Sequence, residues 1–154
     1  MLTIKTLENI KLGAKITLFN GIYAALVGIF YLGFFNFILK TNMRAIDVVW
    51  QVFAKYNVEL NALFIRLMIL KGIFIFAIGI FLIYLSYYIL KKKDKGTWAT
   101  LFIVGLLFWP SLLTFEALDK NIYLIIADLI GWITFLIGMF IPFRYFMRED
   151  FEGY

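Results

Sequence analysis

Hydrophobic positions along this chain neither alternate nor keep to one helical face; they run on without interruption. Four such runs fall at about 16–39, 66–90, 97–115 and 121–143, separated by short polar segments. A helix needs about 20 apolar residues to cross a hydrocarbon core of about 30 Å, and the first run has 24. That is longer than the apolar part of a cleaved leader, about 7–15 residues, and Gly33-Phe34-Phe35-Asn36-Phe37 is a poor cleavage site. The second run extends back toward Leu60, which would make a helix of about 46 Å at about 1.5 Å per residue. Such a helix tilts or leaves its first turns outside, with Arg66 and Lys71 near the interface. The pattern predicts an all-α integral membrane protein, one four-helix transmembrane bundle in a single domain, multi-pass in the cell membrane.

The segments between the runs carry their own patterns. Residues 2–15 place Leu7, Ile10 and Ala14 on one face and three lysines elsewhere, the pattern of a basic amphipathic helix lying along a membrane surface. Residues 44–56 place Ile46, Val49, Trp50 and Phe53 at helical spacing, opposite Arg44, Asp47, Gln51 and Lys55. This predicts a short outer amphipathic helix between the first two spans, more often a linker packed on its own bundle than a binding element. Glu116–Lys120 is short enough only for a tight helical hairpin, and 144–154 reads as a polar tail.

Composition fits the runs. Hydrophobic residues make up 64% of the chain and charged residues 16%, against about half and a quarter in soluble domains. There is no Cys and no His, which removes thiol chemistry and nearly every transition-metal site. No cofactor is expected, and no nucleophile–base set or phosphate loop points to an enzyme. The net charge of +5 comes from residues beside the apolar runs, so membrane lipids rather than nucleic acid are the expected partners.

Charge also predicts orientation. Lys5, Lys11, Lys15, Lys91, Lys92, Lys93, Lys95, Arg144 and Arg148 fall on one side of the four spans, against Lys40, Arg44, Lys55, Arg66, Lys71 and Lys120 on the other. The positive-inside rule places both termini in the cytoplasm.

Small residues mark where helices approach in lipid. Gly21, Ala25 and Gly28 share a face of the first span, Ala127, Gly131 and Gly138 a stripe of the fourth, and Gly72 and Gly79 lie seven apart in the second. Packing within one bundle is their expected use. Trp109-Pro110-Ser111 in the third span predicts a kink or an early helix end, because proline removes a backbone donor. Trp109 there reads chiefly as an interfacial anchor.

Asp128 is the polar residue hardest to place. A central aspartate costs about 2.5–3.5 kcal/mol on the insertion scale, while each Ile, Leu or Phe returns about 0.3–0.6. The span therefore inserts with its carboxylate still needing a partner or a proton. Its helical neighbour Gly131 turns it to the bundle interior. The expected partner is Lys71, with Arg66–Glu116 as a second pair nearer the surface and Asn36 close by. A buried pair of this kind more often fixes helix register than carries chemistry. Asn20 reads as a helix-to-helix hydrogen bond, and Thr134 and Ser86 as donors to their own backbone.

Four short-looped spans, an amphipathic segment after the first, and Arg66 followed by Gly72 and Gly79 resemble the DoxX-like small membrane proteins and a related group of four-span proteins, over roughly residues 16–143. Some members of that superfamily are associated with quinol or thiol oxidation. Without Cys or His, this chain offers no active-site residue to transfer. The functional expectation is a non-enzymatic protein whose outer half holds a small lipophilic molecule, with Arg66, Lys71, Glu116, Asp128 and Asn36 at the polar end and Phe35, Trp109 and Trp132 as apolar wall. The alternative is an assembly subunit that packs on another membrane protein through a glycine-lined face; an ion or solute transporter ranks below both.

Overall fold

The computed structural model describes residues 4–45, 52 and 55–147. Five helices follow in order: α1 (Ile4–Gly33), α2 (Phe35–Ala45), α3 (Val58–Lys92), α4 (Lys95–Leu118) and α5 (Ile122–Phe146). Four of them, all but α2, are long and apolar enough to cross a membrane. Their outward faces carry Leu26, Phe74, Leu107 and Ile137, each at least 50% exposed. A water-soluble bundle would not leave such a surface bare; lipid is its solvent.

Helix bounds differ from the spans expected above. α1 begins at Ile4, so the basic segment at 2–15 continues into the first span from that residue onward. Its apolar face is turned inward: Ile10 is fully buried and Ala14 nearly so, because Gly13 lets α5 approach at Gly138 and Pro142. α1 stops at Gly33, short of residue 39, and the chain bends at Phe34 before α2. α3 starts at Val58, ahead of residue 66. The expected amphipathic helix at 44–56 lies for the most part outside the described residues, as does the tail beyond 147. α4 continues through Pro110 to Leu118, so the helix does not end early there. Ser111 Oγ donates to the Leu107 carbonyl at 2.6 Å and Thr114 Oγ1 to the Pro110 carbonyl at 2.8 Å, in the turn that follows the proline.

The turns are short and capped. Between α3 and α4, Lys93 adopts a left-handed conformation (φ 52°), and Asp94 caps α4 by accepting from the Thr97 backbone N–H and hydroxyl, both at 2.6 Å. Between α4 and α5, Asn121 caps α5 by accepting from Leu124 N–H. The bundle thus has a lysine end, at Lys91–Lys95, and an opposite cap end, where α2 meets the α4–α5 turn.

The four long helices form a ring in the order α1, α3, α4, α5; α1 and α4 face each other across one diagonal, α3 and α5 across the other. Small residues set how closely neighbours approach. A methyl group on Gly21 would lie 2.7 Å from the Ile83 backbone nitrogen, and one on Gly79 2.7 Å from Ala25 Cα. These contacts bring α1 and α3 together almost backbone to backbone. α4 and α5 interlock differently: the Phe135 ring fills the notch at Gly105 and the Trp109 ring the notch at Gly131. Gly21, Gly28, Gly72, Gly79, Gly105, Gly131 and Gly138 are thus used inside the bundle, the use expected of the glycine stripes, whereas Gly33 at the end of α1 faces open space. α3 and α4 have no such notch facing one another.

Candidate functional site

The polar groups of the core form a series of small clusters from the lysine end toward the cap end. Ser86 of α3 donates to Thr17 of α1 at 3.0 Å. One level further, Asn20 of α1 ties three helices. Its amide donates to the Gly131 carbonyl at 2.6 Å and to Thr134 Oγ1 at 2.9 Å, and its oxygen accepts from Trp109 Nε1 at 3.1 Å. Asn20 is thus the interhelical bond expected of it. Trp109 is fully buried, a core residue rather than an interfacial anchor, because Gly131 opens a place for its ring and Asn20 satisfies its N–H. Thr134 does bond its own helix, at the Ile130 carbonyl, whereas Ser86 bonds across to α1.

Nearest the cap end lies the charged cluster. Glu116 of α4 is fully buried. Its Oε1 accepts from the Tyr31 hydroxyl of α1 and from Lys71 of α3, the ion pair found among the described residues. The Lys71 ammonium also sits 5.0 Å from the Tyr31 ring centroid and 5.6 Å from that of Phe115, distances within cation–π range. Above it, Asn42 of α2 donates to Asp119 at 2.7 Å and accepts from the Asn121 amide at 2.7 Å. That pair of bonds fastens α2 over the α4–α5 turn. Burial, and next the Glu116 charge, push the Asp119 carboxyl above the usual carboxylate range, against the opposing pull of Lys71.

Asp128 is 2% exposed, and its Oδ2 has no hydrogen-bond partner. The expected Lys71–Asp128 pair does not form. Lys71 is on α3, and Asp128 on α5 lies across the bundle diagonal, whereas Glu116 on neighbouring α4 is within direct reach. The expected Arg66–Glu116 pair does not form either: Arg66 is exposed, and its place beside Glu116 is taken by Lys71. Asn36 is exposed on α2. Tyr31, absent from the expected cluster, is central to it; its aromatic character masked a hydroxyl that faces Glu116.

Between α3 and α4, in the half toward the cap end, runs a groove of about 700 Å³. Phe64, Met68, Phe74 and Ile78 line one side, Val104, Phe108 and Leu112 the other, and Lys71, Ser111 and Asp119 supply its polar atoms. Of the residues expected around a cavity, Lys71 alone lines this groove. Phe35 packs instead on Leu39, Trp109 is in the core, and Trp132 packs half-buried against it with Nε1 unpartnered.

No group of three or more metal-binding side chains occurs among the described residues. No family model, curated protein or solved structure matches this chain. The chain is a helical bundle with four spans suited to a membrane, and its site is read from its own geometry.

Proposed function

We propose that this protein is a non-enzymatic, multi-pass protein of the cell membrane, with both termini in the cytoplasm, that holds a lipophilic molecule in the groove between α3 and α4. One observation carries the reading: glycine contacts or interlocked rings bring the helices together at the ring's other long seams, whereas among the described residues the α3–α4 seam holds a groove of about 700 Å³. Its walls suit an acyl or isoprenoid chain, and Lys71, Ser111 and Asp119 suit a polar head. Lys71 and Lys91 are 20 residues apart on α3, about 30 Å at 1.5 Å per residue. With the lysine end at the cytoplasmic interface, Lys71 comes to the opposite one, where lipid head groups lie. A small four-span bundle is also the layout that resembles the DoxX-like proteins. The assembly-subunit reading loses its glycine-lined face, since those glycines are already used inside the bundle.

Mass spectrometry of protein released gently from membranes tests the idea. The wild type should carry one stoichiometric lipophile. Ser111→Phe, which fills the groove from an exposed position, should lose it while keeping its helical content. Bulk lipid alone on the wild type, or the same lipophile on Ser111→Phe, would reject the proposal.

A further inference from the structure

We propose that Asp128 holds a proton at neutral pH and forms, with Glu116, Tyr31 and Lys71, a proton-binding site in the core near the cap end. Two carboxyl groups, Glu116 and Asp128, are buried in this half of the bundle, and the cation that pairs with a carboxylate among the described residues, Lys71, is committed to Glu116. Arg66 is exposed and Lys120 lies in the exposed turn, so neither supplies a second positive charge. A buried carboxylate without a cation is expensive, and a proton is the cheapest way to remove its charge.

The hydrogen bonds agree. The titratable groups near Asp128 come from the three other long helices: Tyr23 and Tyr31 from α1, Lys71 from α3 and Glu116 from α4. The Tyr23 hydroxyl is spent on the Ala127 carbonyl at 2.9 Å, and that of Tyr31 on Glu116. The Asn20 amide is spent on Gly131 and Thr134. No donor is left for an Asp128 anion among these neighbours, and the free Trp132 N–H one turn further along α5 does not bond it either. Meanwhile Glu116 Oε2 and Asp128 Oδ2 are both buried and both without partners. A protonated Asp128 carries no charge and is a donor as well as an acceptor, so it removes the need for the cation that Glu116 has already taken.

The site does not depend on what fills the groove, yet Lys71 belongs to both. Whatever draws Lys71 away from Glu116 leaves two carboxyl groups and no cation, and the site must then take a second proton. An anionic occupant would therefore enter together with a proton.

Vibrational spectroscopy of the protein in liposomes at neutral pH reads the protonated carboxyl C=O stretch directly. The wild type should show one such band, and an isotope label in the aspartate side-chain carboxyl should shift it. The band should vanish in Asp128→Asn and persist in Asp119→Asn. Lys71→Met should add a second band, moved by a glutamate label instead. A wild-type spectrum without the band, or a band that the aspartate label leaves in place, overturns the proposal without any variant having to fold.

Discussion

α3 has two neighbours in the ring and meets them in opposite ways. Toward α1 it presents Gly72 and Gly79 and comes close to backbone contact at Gly79. Toward α4 it presents Phe64, Phe74 and Ile78, and a groove of about 700 Å³ remains. Lipid tails are as apolar as leucine, so large side chains gain little by leaving lipid for each other. Small residues gain much, because they let many atoms approach at once. The open seam is pinned at its ends instead, by Lys71–Glu116 near the cap end and by the Asp94-capped turn at the lysine end.

The comparison can be broken hardest at the closed seam. Gly79→Leu sets a side chain against Ala25 backbone, which cannot give way. It should cost at least the 3 kcal/mol or so that bounds ordinary overpacking, read by reversible unfolding in detergent micelles. Gly72→Ala meets the side chains of Leu32 and Tyr31 at 3.0–3.1 Å, which have room to turn. Alanine also favours the helix, so this variant should stay within about 1 kcal/mol of the parent. Equal losses from the two would remove close backbone approach as the cause.

The tie at the cap end comes next. Glu116→Ala strands Lys71 and the Tyr31 hydroxyl. The loss should be about 3 kcal/mol, the low end for a broken buried pair, because Lys71 is 18% exposed and has the groove to turn into. Lys71→Met combined with Glu116→Leu should recover most of it in a double-mutant cycle. Cavity formation then separates the two faces of α3 and its neighbour. Leu82→Ala, in the fully buried core, should cost about 2–5 kcal/mol, whereas Leu107→Ala on the groove rim should cost less than about 0.5.

The smallest effect belongs to the turn. The Thr97 hydroxyl and, after it, the Thr97 backbone N–H hold the Asp94 carboxyl below the usual carboxylate range. A group with a depressed folded value stabilises the fold above its unfolded value of about 3.9, and that contribution is lost as pH falls through the folded value. Asp94→Ala should cost about 1 kcal/mol at neutral pH and flatten the acid limb of the stability curve. Asp119, shifted the other way, contributes stability that is present below its unfolded value and lost as pH rises through its raised folded one. Asp119→Asn should therefore remove a loss that sets in as pH rises above the unfolded carboxylate value, not one that sets in as pH falls.

Much of this was legible in the residues. Run length gave four spans, and glycine spacing gave internal packing, because both depend on features local to one helix. The partner of Lys71 was not legible. It depends on which helix stands beside α3, and no pattern within α3 encodes that α4 is its neighbour and α5 its diagonal. Trp109 was misplaced for a related reason. A tryptophan near a proline and a helix end looks interfacial until Gly131, on another helix, opens a notch for it. The groove was missed in position because it is defined by an absence of notches, which leaves no mark on either helix alone.

The bonds of Asn20 have a consequence for biosynthesis. Its three partners are Trp109, Gly131 and Thr134, all on the last two helices. The chain emerges from its N-terminus, so α1 enters the membrane with a bare amide and keeps it bare until about a hundred further residues have been made. During that interval the half-made protein carries an unsatisfied polar group inside the bilayer, where such a group is costly. Those bonds close only when α4 and α5 have joined α1, so the first span is locked by the last two.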